Sequence, residues 1–347
     1  MSLYHALTVV DVRHETADAC TFTFGVPTQL ADSYAYQAGQ FLTLKVPHPE
    51  GELLRCYSMC SAPTQTVNDQ VQLSITVKRV VDGRASNYLC DNITPGCRLE
   101  VMRPSGVFVV NDWQQDLLLF AGGSGITPVF SILKTALAQG SGQIRLIYAN
   151  RDERSIIFLH ELNQLRQQYP ERLEIVHLLD SLQGVPRIGL LQSLCYDMQS
   201  ARAFICGPGP YMDAAETALH NAGFNADTIH VERFVSLDSA TAKRDESRPQ
   251  TPDASGEHTT VTIDLYGTTH VIDCASGETV LNAAREQGIE LPYSCEVGMC
   301  ASCMCEVTDG DVELRHNDVL TERDLNNGIT LTCQAVPKSK TLQLKYT

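Results

Sequence analysis

Cys295-Glu296-Val297-Gly298-Met299-Cys300-Ala301-Ser302-Cys303, with a lone Cys333 following in Leu331-Thr332-Cys333-Gln334, is the stretch around which the chain is organised. The spacing is C-x4-C-x2-C and then a distant fourth cysteine, the pattern in which four thiolates hold a [2Fe–2S] cluster. Three sulfurs on a short loop can curl around a cluster whose sulfides need backbone N–H donors, and Gly298 suits the backbone angles that such a wrap demands. The competing reading is zinc, because four-cysteine zinc sites also begin with C-x2-C. Those sites usually bring a second close pair, and Cys333 has no such neighbour. Cys305 is an alternative ligand, since in a strand it would share a face with Cys303. The set Cys295, Cys300, Cys303 and Cys333 is the expected metal site, and moving electrons is its expected role.

The rest of the composition narrows the class. The chain has 347 residues, room for two or three domains. A net charge of −15 argues against nucleic-acid and anionic-membrane binding. From Glu257 onward, 14 Asp and Glu face 6 Lys and Arg, an acidic segment suited to steering toward a basic partner or simply to solubility. No apolar run approaches the roughly 18 residues needed to span a bilayer. Met1-Ser2-Leu3-Tyr4-His5 lacks the basic patch and apolar stretch of a secretory signal, so the expectation is a cytoplasmic protein without membrane insertion. The thirteen cysteines are then expected as reduced thiols outside the cluster set, with Cys20, Cys56, Cys60, Cys90, Cys97, Cys195 and Cys274 in apolar or strand-like settings.

Along the chain the grammar changes twice. The first hundred residues read as short strands rich in β-branched residues and separated by Gly and Pro: Ala6 to Val12, Thr21 to Phe24, Phe41 to Val46, Val71 to Val77 and Leu99 to Val101. Their spacing predicts an antiparallel β-barrel over 1–111. Leu117-Leu118-Leu119-Phe120-Ala121 is a continuous apolar run, typical of a strand buried on both faces. Helices from Thr127 to Ala138, from about Ile157 to Gln168 and from Tyr211 to Ala222 alternate with strands at Ile144 to Ala149, Leu173 to Leu178 and Ala203 to Cys206. That alternation predicts a parallel-sheet α/β domain over 112–235. Residues 236–258 are polar and proline-bearing, and are expected as a flexible linker. A compact domain follows over 259–347, opening with a hairpin of Thr260 to Leu265 and His270 to Ile272 and a helix at Thr279 to Ala284. The fold class is therefore multidomain: β, then α/β, then α+β.

Further motifs carry chemistry. Gly122-Gly123-Ser124-Gly125-Ile126-Thr127-Pro128 joins a strand to a helix, where glycines admit a pyrophosphate and the helix start offers unpaired N–H groups. Pro128 fits the first helical turn. It is not the G-x-G-x-x-G fingerprint, so a standard dinucleotide fold is not implied. Cys206-Gly207-Pro208-Gly209-Pro210 ends a later strand at the carboxyl edge of the same sheet. In the barrel, Arg55 can pair with a phosphate, Tyr57 can pack on a planar ring and Ser58 can hydrogen-bond a ring nitrogen. Gly83-Arg84-Ala85-Ser86 offers another small-residue phosphate loop. A surface strand end and plain tight turns are the bland alternatives for these short motifs.

Together, Arg55-x-Tyr57-Ser58, Gly83-x-x-Ser86, Pro104-x-Gly106-x-Phe108, Gly122 to Pro128 and Cys206-Gly-Pro208 appear in an order that resembles the ferredoxin–NADP reductase superfamily, with a C-terminal plant-type ferredoxin domain. The resemblance covers nearly the whole chain. It implies a flavin-binding barrel, a nucleotide-binding domain and a β-grasp ferredoxin domain. It implies that Arg55, Tyr57, Ser58, Gly83 and Ser86 bind FAD, and that Gly122, Gly123, Gly125, Thr127, Cys206, Gly207 and Pro208 hold the pyridine nucleotide. Lys78 joins the cofactor-binding set. Cys295, Cys300, Cys303 and Cys333 would ligate the cluster. The domain order is similar to that of reductase components of bacterial multicomponent oxygenases, with the steroid 9α-hydroxylase reductase type first and the phenylacetyl-CoA epoxidase reductase type second. Tyr148 to Ser155 and His177 to Gly184 carry that likeness. Glu296 departs from the pattern where Arg is frequent, and Ala301 where Gly is frequent.

The expected reaction follows from electron number. A nicotinamide gives up a hydride, a [2Fe–2S] cluster accepts one electron at a time, and a flavin handles both. Hydride transfer to a flavin held by Tyr57 and Ser58, single-electron steps to the cluster and delivery to a Rieske-type or di-iron oxygenase are the expectation. Hydroxylation of an aromatic, steroid or similar substrate would be the outcome. Cys206 is placed beside the nicotinamide, with Glu232 and Phe234 shaping the flavin face. Arg151 and Arg154 would suit the 2′-phosphate of NADPH, and Asp152 or Glu153 the ribose hydroxyl of NADH; the steroid-type likeness favours NADH. The alternatives are a stand-alone NADPH reductase and a redox-sensing electron carrier.

Overall fold

The computed structural model describes residues 3–63, 66–67, 70–234 and 258–346. They form two compact units, one spanning Tyr4–Phe234 and the other containing 258–346. The expected linker over 236–258 lies outside the described residues except for His258, the first residue of a strand.

In the first unit, alternation of inward apolar and outward polar residues builds an antiparallel sheet. Its strands are β1 (Tyr4–Thr16), β2 (Ala19–Gly25), β3 (Phe41–Val46), β4 (Leu53–Ser58), β5 (Thr66–Val67), β6 (Gln70–Lys78) and β7 (Arg98–Met102). Their order is β4-β3-β7-β1-β2-β6-β5. The sheet closes on itself just past β4, where Met59 bridges Ile75 of β6 and the Cys60 N–H donates to Ser74 O at 2.8 Å. Leu7, Val9, Phe22, Phe24, Leu42, Leu44, Leu73, Ile75 and Val101 fill the interior, as inward positions of a small barrel should. One expectation is corrected. The first hundred residues include a helix, α1 (Arg84–Asn92), which begins at Gly83 and buries Ala85, Ser86 and Leu89. Ala85, Tyr88 and Leu89 do recur at helical spacing, but over too few turns to outweigh the turn-forming Gly83, Ser86 and Asn87.

The same unit continues into a parallel sheet of β8 (Leu117–Gly122), β9 (Ile144–Asn150), β10 (Leu173–Leu179), β11 (Arg202–Cys206) and β12 (Ile229–Glu232), in the order β10-β9-β8-β11-β12. Helices α2 (Ile126–Gln139), α3 (Leu159–Gln168), α4 (Asp180–Gln183), α5 (Ile188–Ser193) and α6 (Gly209–Asn221) connect the strands. The apolar run of β8 serves two cores. Leu117, Leu119 and Ala121 pack with Val129, Ile132 and Leu133 of α2, while Leu118 and Phe120 pack with Met212, Ala215 and Leu219 of α6. Helix α3 starts later than expected because Phe158 turns to a left-handed φ of 63°. From β8 the chain winds outward to β9 and β10, and from β11 in the opposite direction to β12. The carboxyl ends of β8 and β11 therefore flank a topological switch point, where open α/β sheets take ligands.

The second unit is a mixed sheet of β13 (His258–Leu265), β14 (Thr268–Ala275), β15 (Met304–Asp309), β17 (Ile329–Leu331) and β19 (Thr341–Tyr346), in the order β14-β13-β19-β15-β17. A small ladder joins β16 (Val312–Leu314) to β18 (Ala335–Pro337). The hairpin expected after Thr260 is β13–β14, and β13 pairs in parallel with β19. Helix α7 (Val280–Glu286) contributes Val280, Leu281, Ala283 and Ala284 to a core with Val261, Ile263, Ile272, Leu331, Leu342 and Leu344. Helix α8 (Glu322–Asn326) precedes β17. A helix packed on a mixed sheet with parallel first and last strands is a β-grasp arrangement.

Candidate functional site

Between α7 and β15 the chain makes no regular element. Glu296, Gly298 and Ala301 all take left-handed φ values, 57°, 76° and 55°, and it is this repeated reversal that curls the loop. At Gly298 a side chain would meet His316 O at 2.6 Å. The curl turns backbone donors inward: the Val297 and Met299 N–H groups donate to Cys295 Sγ at 3.5 and 3.4 Å.

The four thiols come together in two pairs, Cys295 with Cys300 and Cys303 with Cys333. They do not close on one point: among the described residues, no group of three or more His, Cys, Asp or Glu is placed to hold a single ion. Two pairs of donors suit two irons, each taking two thiolates. The hydrogen bond with Cys300 and burial push the Cys295 thiol up, and the hydrogen bond with Cys333 and burial do the same at Cys303. Thiolates at these positions need a strong cationic counter-charge, which iron supplies. The residues fit the cluster. Cys300 is the most exposed of the four. Cys305, the alternative ligand, is buried near the Tyr346 hydroxyl, which in turn pairs with Thr332 Oγ1 at 2.9 Å.

Two supports of this loop carry no motif. Gln334 Nε2 donates to Glu296 O at 2.8 Å and lies 3.6 Å from Cys333 Sγ, so one amide ties the first ligand's turn to the fourth ligand. Arg285, on α7, pairs with Glu296 at 3.1 Å and lies over the Tyr293 ring. Gln334 adjoins a ligand and was open to suspicion on that ground. Arg285 gave no signal, because its partner is set by how α7 docks.

At the switch point the two glycine loops pack backbone on backbone. A side chain at Gly125 would lie 2.2 Å from Cys206 O, one at Gly122 would lie 2.7 Å from Pro208, and one at Gly207 would lie 3.0 Å from Gly122 Cα. These three glycines thus serve close approach of β8 and β11. Gly123 differs: its φ is 52°, and the atom nearest its missing side chain among the described residues is Lys78 Nζ, at 3.7 Å. Its carbonyl accepts from the Tyr148 hydroxyl at 3.1 Å. Thr127 is buried, its hydroxyl donating to Ser124 O, and no side chain among the described residues caps the start of α2.

Cys206 and Glu232 are register partners on β11 and β12. Burial, with Glu232 adding to it, pushes the Cys206 thiol well up. Burial alone pushes the Glu232 carboxyl to about 8, and its Oε2 is sealed without a hydrogen-bond partner among the described residues. Phe234 is 45% exposed. On β4, Ser58 is buried, and burial pushes the half-buried Tyr57 phenol up. Arg55 donates to Leu54 O at 2.8 Å. Gly83 and Ser86 form the first turn of α1 and not a free loop: the Ser86 hydroxyl accepts from the Val80 N–H at 3.1 Å.

Two of the four residues weighed for nucleotide choice are already engaged. Asp152 caps the turn that follows it, accepting from the Ser155 N–H at 3.0 Å. Arg151 pairs with Asp18 of the β1–β2 turn at 3.1 Å.

Comparison with known proteins matches each part. The oxidoreductase FAD-binding domain family matches residues 6–110, the oxidoreductase NAD-binding domain family 119–217, and the 2Fe-2S iron-sulfur cluster binding domain family 263–338. The chain is 44% identical over 342 residues to the ferredoxin reductase component of 3-ketosteroid-9-alpha-monooxygenase from Rhodococcus rhodochrous, covering 98% of this chain and 96% of that one. It is 38% identical over 352 residues to a component of 1,2-phenylacetyl-CoA epoxidase from Escherichia coli K12, covering 97% and 96%. Among solved structures it is similar to phthalate dioxygenase reductase, with a TM-score of 0.61 and 25% identity, covering 99% of this chain and 98% of that one. No helix among the described residues is long and apolar enough to cross a membrane. The chain is an oxidoreductase with FAD-binding, NAD-binding and [2Fe–2S] parts, and it belongs to the family of ferredoxin reductase components of oxygenases.

Proposed function

We propose that this chain takes a hydride from NADH and delivers single electrons through its [2Fe–2S] site to a separate terminal oxygenase in the cytoplasm. The observation that carries the reading is the grouping of Cys295 with Cys300 and Cys303 with Cys333, in a chain whose other unit has its topological switch point at the ends of β8 and β11. Bound FAD supplies the conversion between a two-electron donor and a one-electron acceptor. Tyr57 and Ser58 are assigned to orient its ring, Arg55, Gly83 and Ser86 to hold the rest of it, Cys206 to line the nicotinamide side, and Glu232 with Phe234 to shape the flavin face. Phe234, exposed and two residues beyond Glu232, is free to cover the ring. Positioning is what these residues contribute, since hydride transfer depends on orientation. Cys300 is the assigned exit edge because it is the least buried ligand.

The oxygenase is a Rieske-type or di-iron enzyme that hydroxylates an aromatic, steroid or related substrate; the likeness to the Rhodococcus protein favours a steroid. A chain ending at Phe234, the boundary of the first unit, should keep its flavin and its NADH-dependent ferricyanide reduction and lose cytochrome c reduction. Retained cytochrome c reduction would overturn the assignment of the second unit as electron exit. A kcat/KM favouring NADPH would overturn the choice of donor.

A further inference from the structure

Asp18 sits in the two-residue turn between β1 and β2 and faces the phosphate loop of the parallel sheet. Its Oδ2 is 3.1 Å from Arg151 Nη2 and 3.8 Å from Lys78 Nζ. Lys78 is the group nearest the open face of Gly123, and Arg151 follows directly on the last residue of β9. Lys78, beside the glycine loop that leads into the uncapped start of α2, and Arg151, at the end of β9, are thus both engaged by one carboxylate oxygen. The other oxygen serves the turn itself. Asp18 Oδ1 accepts from the Thr16 hydroxyl at 2.7 Å, and the Thr16 Oγ1 accepts from the Asp18 N–H at 3.3 Å. The turn needs only Oδ1, an acceptor that asparagine also carries. The charge is surplus to the turn.

We propose that Asp18 is a built-in competitor for the nucleotide phosphates, occupying Lys78 and Arg151 until an incoming phosphate displaces it, and so sets both dinucleotide affinity and the bias against a 2′-phosphate. The proposal rests on the reading of Gly122 to Pro128 as the dinucleotide site. A pyrophosphate at Gly123 takes Lys78 from Asp18, and the dinucleotide binds with the net gain only. A 2′-phosphate would need a cation at the end of β9, and Arg151 is the one committed to Asp18. Arg151 is 68% exposed, so screening keeps the effect modest.

The test uses the flavin-loaded full chain and Asp18→Asn, which keeps the Thr16 contact and removes the charge. The Kd of NAD+ and of inorganic pyrophosphate should fall about two- to fivefold, and that of NADP+ should fall further. Adding Arg151→Gln should erase the extra gain for NADP+. Unchanged or weaker binding in Asp18→Asn, while Lys78→Gln still weakens NAD+ binding, would overturn the competitor role and leave the site standing. If Lys78→Gln does not weaken NAD+ binding either, the dinucleotide site is misplaced and both readings fall. Thermal unfolding should be nearly unchanged in Asp18→Asn; a loss of several degrees would mean that the carboxylate holds the two halves together, and would overturn the proposal too.

Discussion

Ala301 adopts a φ of 55° in the middle of the cysteine loop while only 2% exposed, and a left-handed alanine costs roughly 1–2 kcal/mol. Ala301→Gly should relieve that strain and stabilise the second unit by about 1 kcal/mol, read by denaturant unfolding of the cluster-loaded protein. No gain would mean that the buried methyl contributes as much as the angle costs. Glu296 shares the left-handed angle, but there the carbonyl is held by Gln334 and the carboxylate by Arg285. Glu296→Arg should oppose two guanidinium groups and speed cluster loss to a chelator about fivefold, the scale of a part-exposed ion pair. Reversing the pair, with Arg285→Glu added, should restore retention. Glu232 is the third residue with a measurable signature. Its folded carboxyl lies near 8 against an ordinary 4.5, so its contribution to stability is greatest below pH 4.5 and is lost as pH rises to about 8. Glu232→Gln should be more stable than the parent at pH 8, with the difference shrinking toward pH 5; an equal difference at both pH values would contradict a buried, raised carboxyl.

At the scale of elements, the two glycine loops behave as one joint. Gly125→Ala would place a methyl 2.2 Å from Cys206 O, forcing β11 and the loop apart. A loss of about 1–3 kcal/mol together with a raised KM for NADH is expected, and normal NADH kinetics would show that the joint is not needed for NADH binding. What could be read from residue order alone follows a clear line. The double-sided apolar run of β8, the glycine loops and the cysteine spacing are local signals, and the elements they mark are where they were expected. The helix α1 was hidden because its few apolar residues lie among turn formers. The partners of the candidate sites were hidden for another reason: Asp18 meets Arg151 across 133 positions, and Arg285 meets Glu296 only because α7 packs as it does. Periodicity reports an element's buried face, not which polar group awaits it on another element. The same limit applied to the glycines, whose presence announced a loop while concealing that three of them serve packing.

For the molecule as a whole, charge is unevenly shared, with 14 acidic against 6 basic residues from Glu257 onward. If that acidic surface steers the oxygenase, raising ionic strength should slow electron delivery to that partner and leave ferricyanide reduction untouched; equal slowing of both would place the charge effect elsewhere. The strand order of the second unit also bears on how the protein is made. Strand β19 comes last in chain order among the strands of this sheet, yet it lies at its centre between β13 and β15, and the fourth ligand, Cys333, emerges well after the third. The first unit has its whole core by Phe234 and can fold while synthesis continues. The cysteine loop, by contrast, has its full ligand set only once Cys333 is made and its sheet only once β19, ending at Tyr346, is made. Iron loading is therefore a late event, performed on a chain whose first half has already taken shape.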